Sequence, residues 1–564
     1  MKKKIFLLSA LCLLEVQWSM AQAPKWVDKA KRAVFSVITY GENDKILNTG
    51  NGFFVTEDGV ALSDCSLFEG AQRAVVVNSE GVQMPVVSIM GANDMYDVIK
   101  FRVGISTKKV PALHPATVAP AVGANVYILP YSTQKDRSYT AGQVKAADEF
   151  SGKYHYYTLN LRLKDKMVSC PVMTEEGQVF ALAQKSSATI CYAVDADFAM
   201  EQNVSAFSFS DMTLKNIGIK KALPDTEEQA LVFLFMASSQ VTPEKYAELL
   251  DDFIAEYPNS ADGYVRRATN RIYRSKDDAS MDKVVADMDK ALSVAQKKDD
   301  VYYNRAKLIY NYMLGNPEKP YKDWSYDKAV DEIRKAIAVQ ELPVYVQTEG
   351  DILFAKQDYA AALACYEKVN QSDIASAATF FSAAKTKELM KAPAEEVLAL
   401  MDSCVVRFTE PYTEEAAPYL LERAQARMNA NQARAAMLDY DAYYKAVNGK
   451  VNDVFYYYRE QAALKAKQFQ RALNDMEKAI ELSPKDLTYR AELAVVNIRV
   501  GRNEEALKVL QDALAIDSKY AEAYRLMGIA QLQMKKKQEA CQSFAKAKEL
   551  GDPNVDGLIE KHCK

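Results

Sequence analysis

The chain is predicted to be multidomain, with an all-β front followed by an all-α rear, and three observations carry that reading. Short runs rich in Val, Ile, Phe and Tyr, cut by Gly, Asn, Asp and Pro, fill the front. Behind residue 229 the apolar spacing becomes helical, and Ala472, Ala506 and Ala540 recur every 34 residues. At 564 residues the chain exceeds one ordinary core, which suits several domains or a repeat array.

The front runs lie at 33–37, 52–55, 72–77, 97–103, 126–129 and 156–163, as expected of an antiparallel sandwich or barrel. Thr56-Glu57-Asp58-Gly59 and Thr174-Glu175-Glu176-Gly177 each put acceptor side chains and a glycine between two apolar runs. Such turns need a residue at positive φ, which glycine supplies. Before the first run, Lys2, Lys3 and Lys4, an apolar run from Ile5 to Leu14, and Ser19 and Ala21 form a signal peptide over 1–21. The expected mature protein is exported, periplasmic or secreted, with no membrane span. Further domains are expected at 24–206 and 229–564, with a linker over 207–228.

Formal net charge is −4, and loss of 1–21, which carry Lys2, Lys3, Lys4 and Glu15, leaves −6. No basic field invites nucleic acid. Cys65, Cys170, Cys191, Cys365, Cys404, Cys541 and Cys563 are too irregular for a disulfide framework. Buried free thiols are favoured over a Cys541–Cys563 bridge. The pair His562-Cys563 has no companion ligands nearby in sequence, so neither a metal site nor a cofactor is expected.

Motifs in the front have a definite likeness. Gly50-Asn51-Gly52-Phe53-Phe54-Val55, then Ala61-Leu62-Ser63-Asp64-Cys65-Ser66-Leu67-Phe68, resembles the segment leading into the catalytic histidine of trypsin-like serine proteases of the HtrA/Do type. Asp94-Met95-Tyr96-Asp97-Val98-Ile99-Lys100-Phe101 is similar to the strand carrying the orienting carboxylate, and Tyr192-Ala193-Val194-Asp195 to the closing strand. The resemblance implies a double β-barrel whose triad positions are Ser66, Asp97 and Val168, the last counted back from Pro171. Ser66 cannot act as the base and Val168 has no hydroxyl. Lys166 and Ser169 replace the glycines that aim N–H groups at an oxyanion. Of the histidines, His114, His155 and His562, none stands at the base position. The domain is therefore expected to be a pseudoprotease with no catalytic residues. The alternative is an active endopeptidase using Ser169 after a one-residue loop shift, or a thiolate at Cys170 or Cys65 favoured by Lys166, with the rear recruiting substrate.

In the rear, Ala479, Ala513 and Ala547, and Met476, Leu510 and Phe544, share the interval of 34. With Tyr524, Met527 and Gly528, this resembles the tetratricopeptide repeat, and weaker units are marked by Gly350, Ala362 and Tyr366 and by Ala424, Ala436 and Tyr440. Eight or nine units are expected, stacked as a solenoid whose first helices line a peptide-binding groove. Tyr302, Tyr303, Tyr310, Tyr312, Tyr443, Tyr444, Tyr456, Tyr457 and Tyr458 are candidates for that groove or for packing between repeats. Lys535-Lys536-Lys537 reads as a solvated turn. The expected function is an exported scaffold or adaptor that binds protein or peptide partners, of undetermined oligomeric state.

Overall fold

The computed structural model describes residues 23–563 except 107, 135–137, 185–188 and 276. The expected signal peptide lies outside the described residues. The chain divides into two compact units, Met1–Val294 and Ala295–Lys564.

The first unit opens with a short helix, α1 (Val27–Ala30), and two barrels. Strands β1 (Val34–Tyr40), β2 (Ile46–Phe54), β3 (Val60–Ser63), β4 (Arg73–Val77), β5 (Gln83–Asn93) and β6 (Val98–Val103) close in the order β1-β2-β3-β6-β5-β4. Strands β7 (Asn125–Ile128), β8 (Thr140–Phe150), β9 (Tyr154–Leu159), β10 (Pro171–Met173), β11 (Val179–Gln184) and β12 (Cys191–Asp195) close as β10-β11-β12-β9-β8-β7. All the pairs are antiparallel, and each sheet closes on itself. Alternating side chains fill each barrel: Phe35, Phe54 and Phe101 in the first, Val126, Tyr157 and Val172 in the second. A further core with Phe53, Leu62, Leu129 and Val194 joins the two barrels. The hairpin glycines Gly59 and Gly177 take φ of +96° and +85°, as the turns at 56–59 and 174–177 required.

Helix α2 (Ala196–Met200) follows the second barrel, and the residues expected as linker then return to the first one. Asp211 caps helix α3 (Met212–Lys215), and Leu214, Ile217 and Ile219 enter the first barrel's core. Ile89 N–H donates to the Lys220 carbonyl at 2.8 Å and Ala222 N–H to the Ile89 carbonyl at 2.7 Å, so the segment runs parallel to β5. Helices α4 (Glu227–Ala237), α5 (Pro243–Glu256), α6 (Ala261–Ile272) and α7 (Asp278–Val294) complete this unit.

The second unit is built of successive helix pairs: α8 (Asp299–Gly315) with α9 (Tyr326–Val339), α10 (Pro343–Ala355) with α11 (Tyr359–Val369), and α12 (Ala377–Leu389) with α13 (Ala394–Val405). Then come α14 (Ala417–Asn429) with α15 (Ala433–Ala446), α16 (Asp453–Lys465) with α17 (Phe469–Leu482), α18 (Leu487–Arg499) with α19 (Asn503–Ile516), and α20 (Ala521–Gln533) with α21 (Lys537–Glu549). A last helix, α22 (Asp556–His562), ends the stack. The alanines and large apolar residues at interval 34 are all fully buried. A Cβ on Gly528 would lie 2.4 Å from the Phe544 ring, and one on Gly350 would lie 2.9 Å from Tyr366. In these two pairs the small residue thus admits the aromatic ring that locks the helices together.

A second, polar lock was not read from the sequence. Arg423 on α14 grips Asp439 on α15 through Nε (3.0 Å) and Nη2 (2.7 Å), and Arg459 on α16 grips Asp475 on α17 at 2.9 and 2.5 Å. Both aspartates are almost wholly buried, and the bidentate fork satisfies their oxygens. One expectation is corrected: Cys541 and Cys563 form a disulfide that ties α21 to the end of the chain. The two sulfurs are distant in sequence, and only the return of α22 onto α21 brings them together, a proximity that spacing alone does not reveal.

Candidate functional site

The first triad position lies on a short 3-10 turn, Cys65–Phe68, directly after β3, and Asp97 stands just before β6 with φ +50°. These strands are neighbours, so the fold brings Ser66 and Asp97 together. The Asp97 carboxylate accepts from Ser66 N–H at 2.7 Å and from Ser66 Oγ at 2.9 Å. Ser66 therefore satisfies both carboxylate oxygens from the place where the resemblance puts an imidazole. A hydroxyl there is too short to reach onward to a nucleophile and has no basic lone pair to take its proton.

The loop before β10 holds the other positions. Its 3-10 turn, Asp165–Met167, is followed by half-buried Val168 and by Ser169 at φ +63°. Asn51 Nδ2 donates to the carbonyls of Lys166 (3.1 Å) and Val168 (2.7 Å), while Ser169 N–H donates to the Ala183 carbonyl at 2.8 Å. The loop is clamped, with Ser169 only 1% exposed. Its hydroxyl faces the protein interior beside Asp64, and neither Ser169 Oγ nor Asp64 Oδ1 has a well-formed hydrogen bond among the described residues. Burial drives the Asp64 carboxyl well above the ordinary range, the charge of Asp97 adds to this, and Ser169 offsets part of it. With no cation partner among the described residues, burial favours the neutral acid.

Cys170 is fully buried, and burial pushes its thiol up to about 12. Cys65 is raised to about 12 by burial first and the charge of Asp97 second. A thiol is nucleophilic only as thiolate, so both are dormant near neutrality. His155 lies on β9, where its N–H donates to Asp195 Oδ2 at 3.1 Å and its Nδ1 stands 3.9 Å from the same oxygen. His114 is exposed, and its carbonyl accepts from Val179 N–H. His562 ends α22, and its neighbour Cys563 is committed to the disulfide.

Asp64 is the residue of this corner that sequence reasoning missed. The only signal was a carboxylate among the apolar residues and two serines from Val60 to Phe68. In the second unit the candidate tyrosines mostly pack: Tyr303 meets Tyr345, Tyr312 meets Trp324, and Tyr443 and Tyr444 stack on Phe455. Tyr458, 48% exposed, presents a free face. Lys535 sits at φ +63° in the turn between α20 and α21. No described helix is long and apolar enough to cross a membrane.

Comparison with known proteins agrees with these two architectures. Over 96 residues, 17% of this chain, the sequence is 31% identical to the small glutamine-rich tetratricopeptide repeat-containing protein 2 of Mycosarcoma maydis, and the match spans 27% of that relative. Residues 50–182 match the trypsin-like peptidase domain and residues 463–532 the tetratricopeptide repeat, so the chain joins a trypsin-like double barrel to a tetratricopeptide helical array.

Proposed function

We propose that the protein is an exported scaffold that holds polypeptide partners and does not cleave them. The observation that carries this reading is the Ser66–Asp97 pair, in which a hydroxyl closes on the carboxylate that would orient a catalytic imidazole. Val168 offers no nucleophile, Ser169 turns its hydroxyl into the interior, and Cys170 is a buried, protonated thiol. The paired helices supply the binding surface, since stacked repeats of this kind present a continuous face to extended peptides. Export is supported by the basic, apolar and small-residue order of the first 21 residues and by the Cys541–Cys563 bridge, a bond that persists in oxidising compartments.

The test uses a fluorophosphonate and a thiol-directed probe on the intact protein, together with crosslinking in the exporting cell. No labelling of Ser169 or Cys170 is expected, together with polypeptide crosslinks reduced by substitution of exposed Tyr458. Labelling at either residue, lost in its alanine variant, would establish an active peptidase instead.

A further inference from the structure

A cavity of about 390 Å³ lies beside the first barrel, between the returning junction and helices α4 and α5. Its size is in the ordinary range for a small-molecule site. Its apolar surface comes from partly exposed Phe209, Val241 and Leu249, with Leu214, Ile219 and Phe233 almost wholly buried behind them. Lys215, Lys220, Lys221 and Lys245 also line it, opposed among the described lining residues by one carboxylate, Glu248. Lys220 is paired with Asp252 at 2.5 Å. No described carboxylate forms an ion pair with Lys221 or Lys245. We propose that this cavity binds an aliphatic carboxylate of medium chain length, a fatty acid, with its head between Lys221 and Lys245 and its chain against the apolar wall.

The lysines set the charge of the occupant and the wall sets the rest. Lys221 is half-buried, and its ammonium donates to the carbonyls of Ile217 and Ile219, the latter at 2.9 Å. Two of its three donors are thus fixed by the backbone, and the third remains for a ligand. Burial, and then the charge of Lys245, pull the Lys221 ammonium down to about 8. An anion between the two amines would relieve that repulsion. A peptide terminus could supply the same charge, but its amides would need hydrogen-bond partners along a wall whose neutral polar side chains are Ser208 and Gln240 alone among the described lining residues. An acyl chain has no such requirement.

The experiment is calorimetric titration of the whole protein with hexanoate, octanoate and decanoate, with decanol and an N-acetylated peptide ending in leucine as comparators. Saturable one-site binding of the acids is expected, tightening roughly threefold to fourfold per added methylene. Lys221→Met should weaken decanoate at least tenfold and leave decanol within twofold. Leu249→Trp should abolish both while the melting temperature holds. If Lys221→Met disturbs the junction, Lys245→Gln on the exposed face of α5 reads the same contact and should cost threefold or more. Absence of saturation, affinity independent of chain length, indifference to both lysine variants, or tighter binding of the leucine-ended peptide would each overturn the proposal.

Discussion

The corner around Asp64 and the interior of the helix pairs both bury carboxylates, and they neutralise them by different means. Asp439 and Asp475 each meet a two-pronged guanidinium, whereas Asp64 has Ser169 and the charge of Asp97 near it, no cation partner among the described residues, and a carboxyl raised well above the ordinary range. Burial raises Asp439 and Asp475 too, but their guanidinium partners offset part of that rise, a cationic offset that Asp64 lacks among the described residues. Where a guanidinium is built in, charge belongs to the packing; where it is absent, the acid is a weak point that solution conditions can reach.

The largest effect should come from breaking the built-in pairs. Arg459→Met leaves Asp475 buried without its hydrogen-bonding guanidinium and should cost about 3–5 kcal/mol, most of it recovered in Arg459→Met with Asp475→Leu. Urea denaturation measures both, and a single-variant cost below about 1 kcal/mol would erase the contrast.

At Asp64 the sign runs the other way. Burial raises the folded carboxyl above the ordinary range in which the unfolded chain titrates, so stability falls as pH rises from that range through the raised folded value. Asp64→Asn should flatten this fall, giving a higher melting temperature than the parent at pH 8 and little difference at pH 4. Equal slopes for the two proteins would show that Asp64 has a counter-charge after all.

Glu460 sharpens the comparison because it is a buried acid inside the repeats without a guanidinium fork. It accepts from Gln461 Nε2 at 2.7 Å through one oxygen, its other oxygen lacks a partner, and burial followed by the charge of Glu492 lifts it to about 8. Its loss of stability therefore falls between about pH 4.5 and 8, and Glu460→Gln should raise the melting temperature by ~3 °C at pH 8.5 and leave it unchanged at pH 4. The smallest effect belongs to Ser66→Ala, which removes one hydroxyl bond to Asp97 at a partly exposed site and should cost ~1 kcal/mol or less, read by the same denaturation.

What was legible in the sequence follows from the range of the forces involved. The interval of 34 announced the helix pairs because each repeat solves the same packing problem locally, down to Gly528 against Phe544. The Ser66–Asp97 meeting was legible through motif likeness. The nearness of Asp64 to Ser169 was not, because it depends on how the loop before β10 folds against the first barrel. Strand β5, Gln83–Asn93, escaped because Pro85 and its exposed alternate residues obscure an apolar run. The junction read as a linker because Leu214, Ile217 and Ile219 are spaced too irregularly to signal a strand or helix, yet each is buried in the barrel.

The Cys541–Cys563 bond has a mechanical consequence. A short helix packed beside a repeat pair peels away more easily than the pair itself, because fewer contacts hold it. The bond fastens the segment after α22 covalently to α21, so α22 cannot leave its pair while the bond is intact. Reducing agent should therefore lower the pulling force at which α22 separates from α21.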